Sequence, residues 1–286
     1  MSSFLRNHTR QPRIYIDLPT GGKFYKDNVF QDNQFVHIPV FGMSTMDEIS
    51  LKTPDALFSG KATADVIKSC IPIVNDPYQI VRLDLEYILL AIKIATYGDV
   101  LEINATCPKC AESTKVDADL SKILANFENS KIENEFILNN LTFKLQPITY
   151  REVTESGIKS YALEKKIANA KKDLQLDQNY DEYLNKFLQE LLLLNNQAMV
   201  KYISNISNNE DEETDKTEIQ EFIKNNDKKV AEMVSEKVTE LVRDWSIPDL
   251  HIDCTNQECK NQFVTGIVLD YSNFFGDLSY TSRNLS

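Results

Sequence analysis

Histidine, glycine and basic residues are all scarce in this sequence. It has 3 His and 8 Gly, and its 31 Lys and Arg are outnumbered by 43 Asp and Glu, which gives a formal net charge of -12. A surface this acidic repels phosphate backbones and anionic lipid headgroups at long range. Nucleic acids and membrane surfaces are therefore poor candidate partners.

Long hydrophobic runs are also missing. No stretch reaches the roughly 18 apolar residues of a membrane span, and the best candidate, Tyr87 to Ala95, contains Lys93. Met1 to Gln11 is polar and lacks the apolar core and small-residue cleavage site of a secretory signal. We therefore expect a soluble protein that is not exported.

The motifs of common enzymes do not occur. The sequence contains neither G-x-S-x-G nor H-E-x-x-H, and three histidines leave little for general-base catalysis. Thr20-Gly21-Gly22-Lys23 lacks the spacing of a phosphate-binding loop, and Phe24 stands where that loop carries a hydroxyl. We predict a turn at this position and no catalytic activity for the chain.

Apolar periodicity predicts an α+β fold. Alternation from Arg13 to Val40 predicts strands, and the apolar segment Asp84 to Ala95 predicts a buried helix that Gly98 ends. Thr45 with Glu48, and Thr149 with Glu152, have the spacing of helix-start capping boxes.

The second half of the chain is predicted to be mainly helical. A hairpin at Phe136 to Leu145, turning at Asn139-Asn140, precedes helices at about 151–173, 180–205 and 218–244. An apolar stripe on the last helix is predicted to pack in the core. The acidic run Asn208 to Asp215 is predicted to be a solvated, mobile loop.

Four of the five cysteines form two local pairs. Cys107 and Cys110 have C-x2-C spacing, Cys254 and Cys259 have C-x4-C spacing, and strand-like sequence flanks each pair. Two such turns can supply the four tetrahedral thiolates that zinc prefers, leaving no open position for catalysis. We therefore predict one structural Zn²⁺ in a discontinuous zinc-ribbon-like module.

Other interpretations of the cysteines stay open. The pairs are alternatively unrelated thiols, or Cys107 and Cys110 form a redox motif, which needs a following helix that the sequence does not predict. His251 is a less favoured substitute ligand, because strand alternation turns it away from Leu250 and Ile252. Cys70 is predicted to be a small buried hydrophobe.

These patterns divide the chain into five parts. We predict an N-terminal extended segment with β structure at 1–44 and a helical region at 45–99. The zinc-ribbon-like module comprises 100–118 plus 247–270, with a large helical insertion at 119–246, and a C-terminal tail follows at 271–286.

Several short stretches are weak singly but distinctive in combination. They are Leu18 to Tyr25, Met43 to Glu48, Lys52 to Leu57, Asp84 to Ile92, Ala95 to Asp99, Cys107 to Cys110, Leu145 to Tyr150 and Asp270 to Phe275. Together they resemble the baseplate hub and hub-assembly proteins of T-even-type contractile-tailed bacteriophages. The resemblance covers about the first 155 residues and the last 40, and leaves the helical insertion mostly without support.

The resemblance implies a phage morphogenesis protein that binds other baseplate hub and tail proteins. It would act in the cytoplasm of the infected cell, either as a hub component that stays in the virion or as an assembly factor that does not. Oligomeric state is left open. Phe24, Tyr25, Phe274 and Phe275 are candidate interface anchors, although each also suits a core position.

The alternative function is a zinc-ribbon protein that binds nucleic acid. Such a ribbon normally carries clustered Lys and Arg at its cysteine turns. Here Lys109, Lys115 and Lys260 lie among acidic residues. The charge pattern therefore favours protein partners.

Overall fold

The chain folds into mixed α and β structure, which confirms the predicted α+β class. The structure is a computed structural model and describes residues 10–26, 28–52, 59–128, 134–173, 180–247 and 249–266. It divides into two compact units. Unit 1 comprises residues 1–131 and 243–286, and unit 2 comprises residues 132–242.

The described helices and strands follow one another in this order. They are β1 Pro12–Ile16, β2 Ile38–Phe41, α1 Thr45–Leu51, α2 Lys61–Cys70, α3 Arg82–Tyr97, β3 Val100–Thr106, β4 Ser113–Asp119, α4 Leu120–Glu128, β5 Glu135–Leu138, β6 Leu141–Leu145, α5 Tyr150–Asp173, α6 Tyr180–Lys201, β7 Ile203–Ser207, β8 Glu212–Glu213, α7 Lys216–Asn225, α8 Lys228–Asp244, β9 Leu250–Asp253 and β10 Gln262–Thr265. Short 3-10 turns lie at Gln31–Asn33 and Pro77–Gln79.

The core of unit 1 is built around α3, the helix that was predicted to be buried. Every residue from Leu83 to Lys93 is buried, because most of them are apolar and they point to all sides of the helix. It packs against the β1–β2 hairpin, α2 and α4. Gly98, at φ 95°, ends the helix as predicted, and its N–H donates to the carbonyl of Ile94 at 2.9 Å.

The N-cap of α1 lies one residue before the predicted position. The capping residue is Ser44, not Thr45, because the Ser44 hydroxyl accepts from the Asp47 N–H and the Asp47 carboxylate accepts from the Ser44 N–H. Thr45 and Glu48 have the same spacing but lie one position further on. The second predicted box is confirmed: the Glu152 carboxylate accepts from the N–H and hydroxyl of Thr149.

The predicted turn at residues 20–23 is confirmed and is tied to the core. The buried Asp84 carboxylate accepts from the Thr20 N–H at 3.1 Å, the Thr20 hydroxyl at 2.5 Å and the Tyr25 hydroxyl at 2.7 Å. The Tyr25 ring also packs on Phe30 and Phe35. Tyr25 is therefore part of the packed interior of this turn, which argues against its use as an interface anchor.

The described part of unit 2 contains one antiparallel sheet in the order β5-β6-β7-β8. The predicted β5–β6 hairpin is confirmed, with Asn139 and Asn140 at φ 51° and 63° in its two-residue turn. Phe136 and Phe143 stack across it at 4.9 Å. The strands β7 and β8 were not predicted, so a mainly helical description of this region is incomplete.

Of two other expectations for unit 2, one was wrong and one was confirmed only in part. The predicted helix at 218–244 is two helices, because α7 ends at Asn225 and Asn226 leaves helical geometry. The acidic run Asn208 to Asp215 is exposed as predicted, but it contains β8 and is held by hydrogen bonds from two backbone N–H groups to the Asn208 side chain. On α8 the stripe packs through Val230, Val234, Val238 and Leu241.

Some predictions concern residues outside the described ranges. Outside the described residues lie Phe274, Phe275, the tail at 271–286, and the end of the strand that the sequence predicts at Phe263 to Leu269. The predicted five-part division of the chain stays a prediction. None of the described helices is both long and apolar enough to cross a membrane.

Candidate metal centre

The first cysteine pair lies in the turn of the β3–β4 hairpin. These strands pair antiparallel from Val100 with Asp119 to Thr106 with Ser113. At the turn the Cys107 N–H donates to the carbonyl of Glu112 and the Ala111 N–H donates to the carbonyl of Cys107, both at 2.9 Å. Ala111 has a positive φ of 59°, which reverses the chain directly after Cys110.

The second pair lies in the turn between β9 and β10, which also pair antiparallel. The Cys254 N–H donates to the carbonyl of Asn261 at 2.9 Å, and the Cys259 N–H donates to that of Asn256 at 3.0 Å. Lys260, directly after Cys259, has a positive φ of 46°. The two turns therefore share one backbone plan, although their cysteines are differently spaced.

The four sulfur atoms converge. The Sγ atoms of Cys107, Cys110, Cys254 and Cys259 all lie within 4.8 Å of one another. Across the two turns, Cys107 is 3.9 Å from Cys259 and Cys110 is 3.5 Å from Cys254. These separations exceed the roughly 2.05 Å of a disulfide bond, and the cysteines are free thiols. The cluster has the composition and size to hold a metal ion.

Polar contacts join the two hairpins beside the sulfurs. The Asn261 amide donates to the Cys107 sulfur at 3.7 Å, and the hydroxyls of Thr114 and Thr255 lie 3.1 Å apart. Cys107 and Thr114 are almost fully buried, with 1% and 2% of their surface exposed. One side of the cluster is thus enclosed, whereas Cys110 faces solvent.

The thiols differ in how easily they ionise. Burial opposes ionisation of Cys107, but hydrogen bonds from the N–H groups of Cys110 and Lys109 lower its pKa to about 6. Burial raises the pKa of Cys254 to about 12 and also raises that of Cys259, with the neighbouring thiols contributing. Such a cluster resists full ionisation by itself, and a bound cation reverses this by favouring thiolates.

The remaining sequence candidates lie apart from the cluster. His251 is exposed on β9 and does not belong to the four-sulfur group. Cys70 is fully buried on α2, as predicted, and burial raises its pKa to about 12. The residues after Cys110 form β4 and not a helix, so the thiol-activating helix of a redox motif is missing from this described segment.

Acidic side chains offset the lysines near the cluster. On the hairpin, Lys115 pairs with Glu102 at 2.7 Å. Lys109 and Lys260 are exposed beside the sulfurs, and Asp253 lines the same surface depression. No clustered basic surface therefore surrounds the described cysteine turns.

Sequence reasoning missed the polar residues that support the cluster. Asn261 is the second residue after Cys259, and Thr114 and Thr255 lie close to a cysteine in each half. A polar residue next to a cysteine turn is too common to be predictive. Thr114 lies opposite Ala105 in the antiparallel pair, and this register allows its side chain to contact Thr255 of the other hairpin.

Comparison with models of known protein families gave a match. Searches of curated proteins and of solved structures found none. Residues 43–276 match the family described as T4 bacteriophage base plate protein. The match runs through the region that the resemblance from sequence left mostly unsupported, so unit 2 falls within the family's extent. The chain belongs to the T4 bacteriophage base plate protein family.

Proposed function

We propose that this protein is a baseplate hub component or hub-assembly factor that acts by binding other phage tail proteins. The observation that carries this proposal is the family match over residues 43–276. The hub, as the particular part of the baseplate, rests on the resemblance of stretches such as Leu18 to Tyr25 and Ala95 to Asp99. The proposed role is binding, without catalysis, in the infected cell's cytoplasm and in the virion tail if the protein remains there.

The proposed ligand of the four cysteines is one structural zinc ion. Zinc binds thiolate sulfur at about 2.3 Å in tetrahedral geometry, which places the sulfurs roughly 3.8 Å apart. The distances of 3.9 Å and 3.5 Å across the two turns agree with this spacing. Four thiolates fill the coordination sphere, so the metal would have no position for a catalytic water.

The proposed effect of zinc is to join two separated segments of unit 1. Cys107 and Cys110 precede residues 132–242, whereas Cys254 and Cys259 follow them. A zinc-ribbon-like module of residues 100–118 and 247–270 would thus close a loop of well over 100 residues. The Glu86 carboxylate, which accepts from the Ile247 N–H at 3.2 Å, supports the same closure in the core.

Purification from infected cells tests the binding role. A tagged copy of the full chain, expressed in place of the native protein, should co-purify with baseplate hub proteins identified by mass spectrometry. Infection without the protein should yield particles with defective baseplates. The proposal fails if no tail protein co-purifies and baseplates form normally in its absence.

Comparison of virions with lysate separates the two forms of the proposal. A hub component should be found by mass spectrometry in purified particles as well as in infected-cell lysate. An assembly factor should be found in the lysate alone. Binding to DNA at physiological ionic strength would instead support the nucleic-acid alternative.

A further inference from the structure

A groove in unit 2 combines an apolar floor with an acidic rim. It lies beside the β6–β7 strands and the start of α7 and has a volume of about 500 Å³. Its floor is apolar, formed by Leu141, Ile206, Ile219 and Phe222. Phe222 and Leu141 are half-buried, while Ile219 and Ile206 are buried. We call this feature the acidic groove.

Four carboxylates line the rim of the acidic groove: Asp211, Glu212, Glu213 and Glu218. All four residues are exposed, and no Lys or Arg is among the described residues that line the groove. The rim therefore places a concentrated negative charge around an apolar surface.

The lysines near the acidic groove interact with groups other than the rim carboxylates. Lys144 pairs with Glu135 at 3.7 Å, and Lys224 pairs with Glu221 at 3.4 Å. Lys216, next to the groove in sequence, donates to the backbone carbonyl of Ile203. Among the described ion pairs, none involves a rim carboxylate. Each rim carboxylate can therefore still form an ion pair with a partner.

The rim is also held in place before any partner binds. The Asp215 side chain caps α7 by accepting from the N–H groups of Thr217 and Glu218 at 2.7 and 3.2 Å. The Glu213 carboxylate accepts from the Asp215 N–H at 2.7 Å. A preorganised rim loses less conformational entropy when it binds.

We infer that the acidic groove docks a basic segment of another protein, one that presents a large apolar side chain between Lys or Arg residues. The apolar side chain would cover Phe222 and Ile219, and the basic residues would face the rim. This proposal names the partner chemistry of the binding role proposed above and rests on it. An anionic partner would be repelled by the same rim.

The test uses the full-length protein and labelled synthetic peptides. The probe peptide carries one Phe flanked by two Lys residues on each side, and its affinity is measured by fluorescence anisotropy at about physiological ionic strength. One control peptide replaces Phe with Ser, and another replaces every Lys with Glu. The probe should bind about tenfold or more tightly than either control, because both apolar burial and charge contribute.

Matched variants locate the binding surface. Phe222→Ala should weaken probe binding about tenfold, whereas Met233→Ala, at an exposed apolar position on α8, should leave it within about twofold. The double variant Glu213→Gln and Glu218→Gln should weaken binding about three- to tenfold. Its control, Glu232→Gln with Glu236→Gln, removes the same charge on α8 and should have no effect.

The Glu→Gln variants are chosen so that a loss of binding cannot be attributed to unfolding. A Gln side-chain oxygen can still accept the hydrogen bond that the Glu213 carboxylate accepts, and circular dichroism checks that each variant stays folded. The groove proposal is overturned if the probe does not bind, if the Ser peptide binds equally well, or if the α8 controls lose as much affinity. Hub proteins that still co-purify in that case leave the proposed function intact.

Discussion

The two units bury their helices in different ways. In unit 1, α3 is covered on every side along eleven consecutive residues, Leu83 to Lys93. In unit 2, α8 buries a single stripe of Val230, Val234, Val238 and Leu241 and leaves Met233 exposed. Buried apolar area is the main source of folding free energy. Among the described helices, α8 of unit 2 therefore leaves much more of its surface exposed than α3 of unit 1.

Loss of a proposed zinc ligand should have the largest effect, and only on unit 1. Cys107→Ser should abolish tight zinc binding and lower the free energy of unfolding of unit 1 by more than about 4 kcal/mol. Hydrogen exchange measured by mass spectrometry should show lost protection in β3 and β4 but retained protection in α5 and the β5–β6 hairpin.

A second cysteine provides the control. Cys70 is also fully buried in unit 1 but lies outside the cluster. Cys70→Ala should leave zinc binding intact. It should lower the free energy of unfolding by only about 1 kcal/mol, because it leaves a small cavity. Equal zinc content and equal protection in the Cys107 and Cys70 variants would refute a metal-based difference between the units.

The buried Asp84 should make unit 1 lose stability as pH rises. Burial raises the pKa of this carboxyl from 3.8 to about 6, against the hydrogen bonds from Thr20 and Tyr25, which lower it. Because the folded pKa is raised, the group contributes most below about pH 4, and that contribution is lost as the pH passes about 6. The shift corresponds to about 3 kcal/mol.

Asp84→Asn isolates this contribution. The free energy of unfolding of the wild type, minus that of the variant, should fall by about 3 kcal/mol between pH 4 and pH 7 in urea titrations. Thr20→Val removes a hydrogen bond that favours the carboxylate and should steepen the dependence. A difference that stays constant across this range would show that Asp84 does not titrate there.

Among the glycines in turns of unit 1, Gly22 should tolerate an added side chain least. Its φ is +85°, and an added Cβ would overlap the Phe35 ring. Gly22→Ala should therefore destabilise unit 1 by about 2–3 kcal/mol, from left-handed backbone strain and overpacking together. Gly21 has φ +57°, and no described atom lies within 4 Å of a Cβ added there, so Gly21→Ala should cost only about 1 kcal/mol in the same thermal melts.

Gly157→Ala should have the smallest effect and the opposite sign. Gly157 lies within α5 of unit 2, and outside the helix's own backbone no described atom lies within 4 Å of the position of its missing Cβ. Alanine loses less backbone entropy in a helix, so unit 2 should gain about 0.5–1 kcal/mol. Hydrogen exchange of α5 measures this gain, and a loss of protection there would contradict the open helix surface.

Strong local patterns allowed much of unit 1 to be predicted. The apolar run of α3, the stop at Gly98 and the strands on either side of Cys107 and Cys110 can all be read from neighbouring residues. The convergence of the four cysteines was also anticipated. The closeness of their sulfurs supports that interpretation, while the ion itself stays a prediction.

Unit 2 was less predictable because its signals are either weak or misleading. The strand β7 has only two apolar residues, Ile203 and Ile206, and its pairing with β6 is distant in sequence. The break at Asn226 was hidden because the buried residues Ile219, Ile223, Val230 and Val234 keep helical spacing across it. Tertiary pairing, and not local pattern, decides both features.

The metal content of the purified chain tests the central claim most directly. Native mass spectrometry with elemental analysis, on protein prepared without chelators, should give one zinc ion per chain, released when the thiols are modified. A chain that carries no zinc, and whose four clustered thiols all react freely while unit 1 stays folded, would contradict the account.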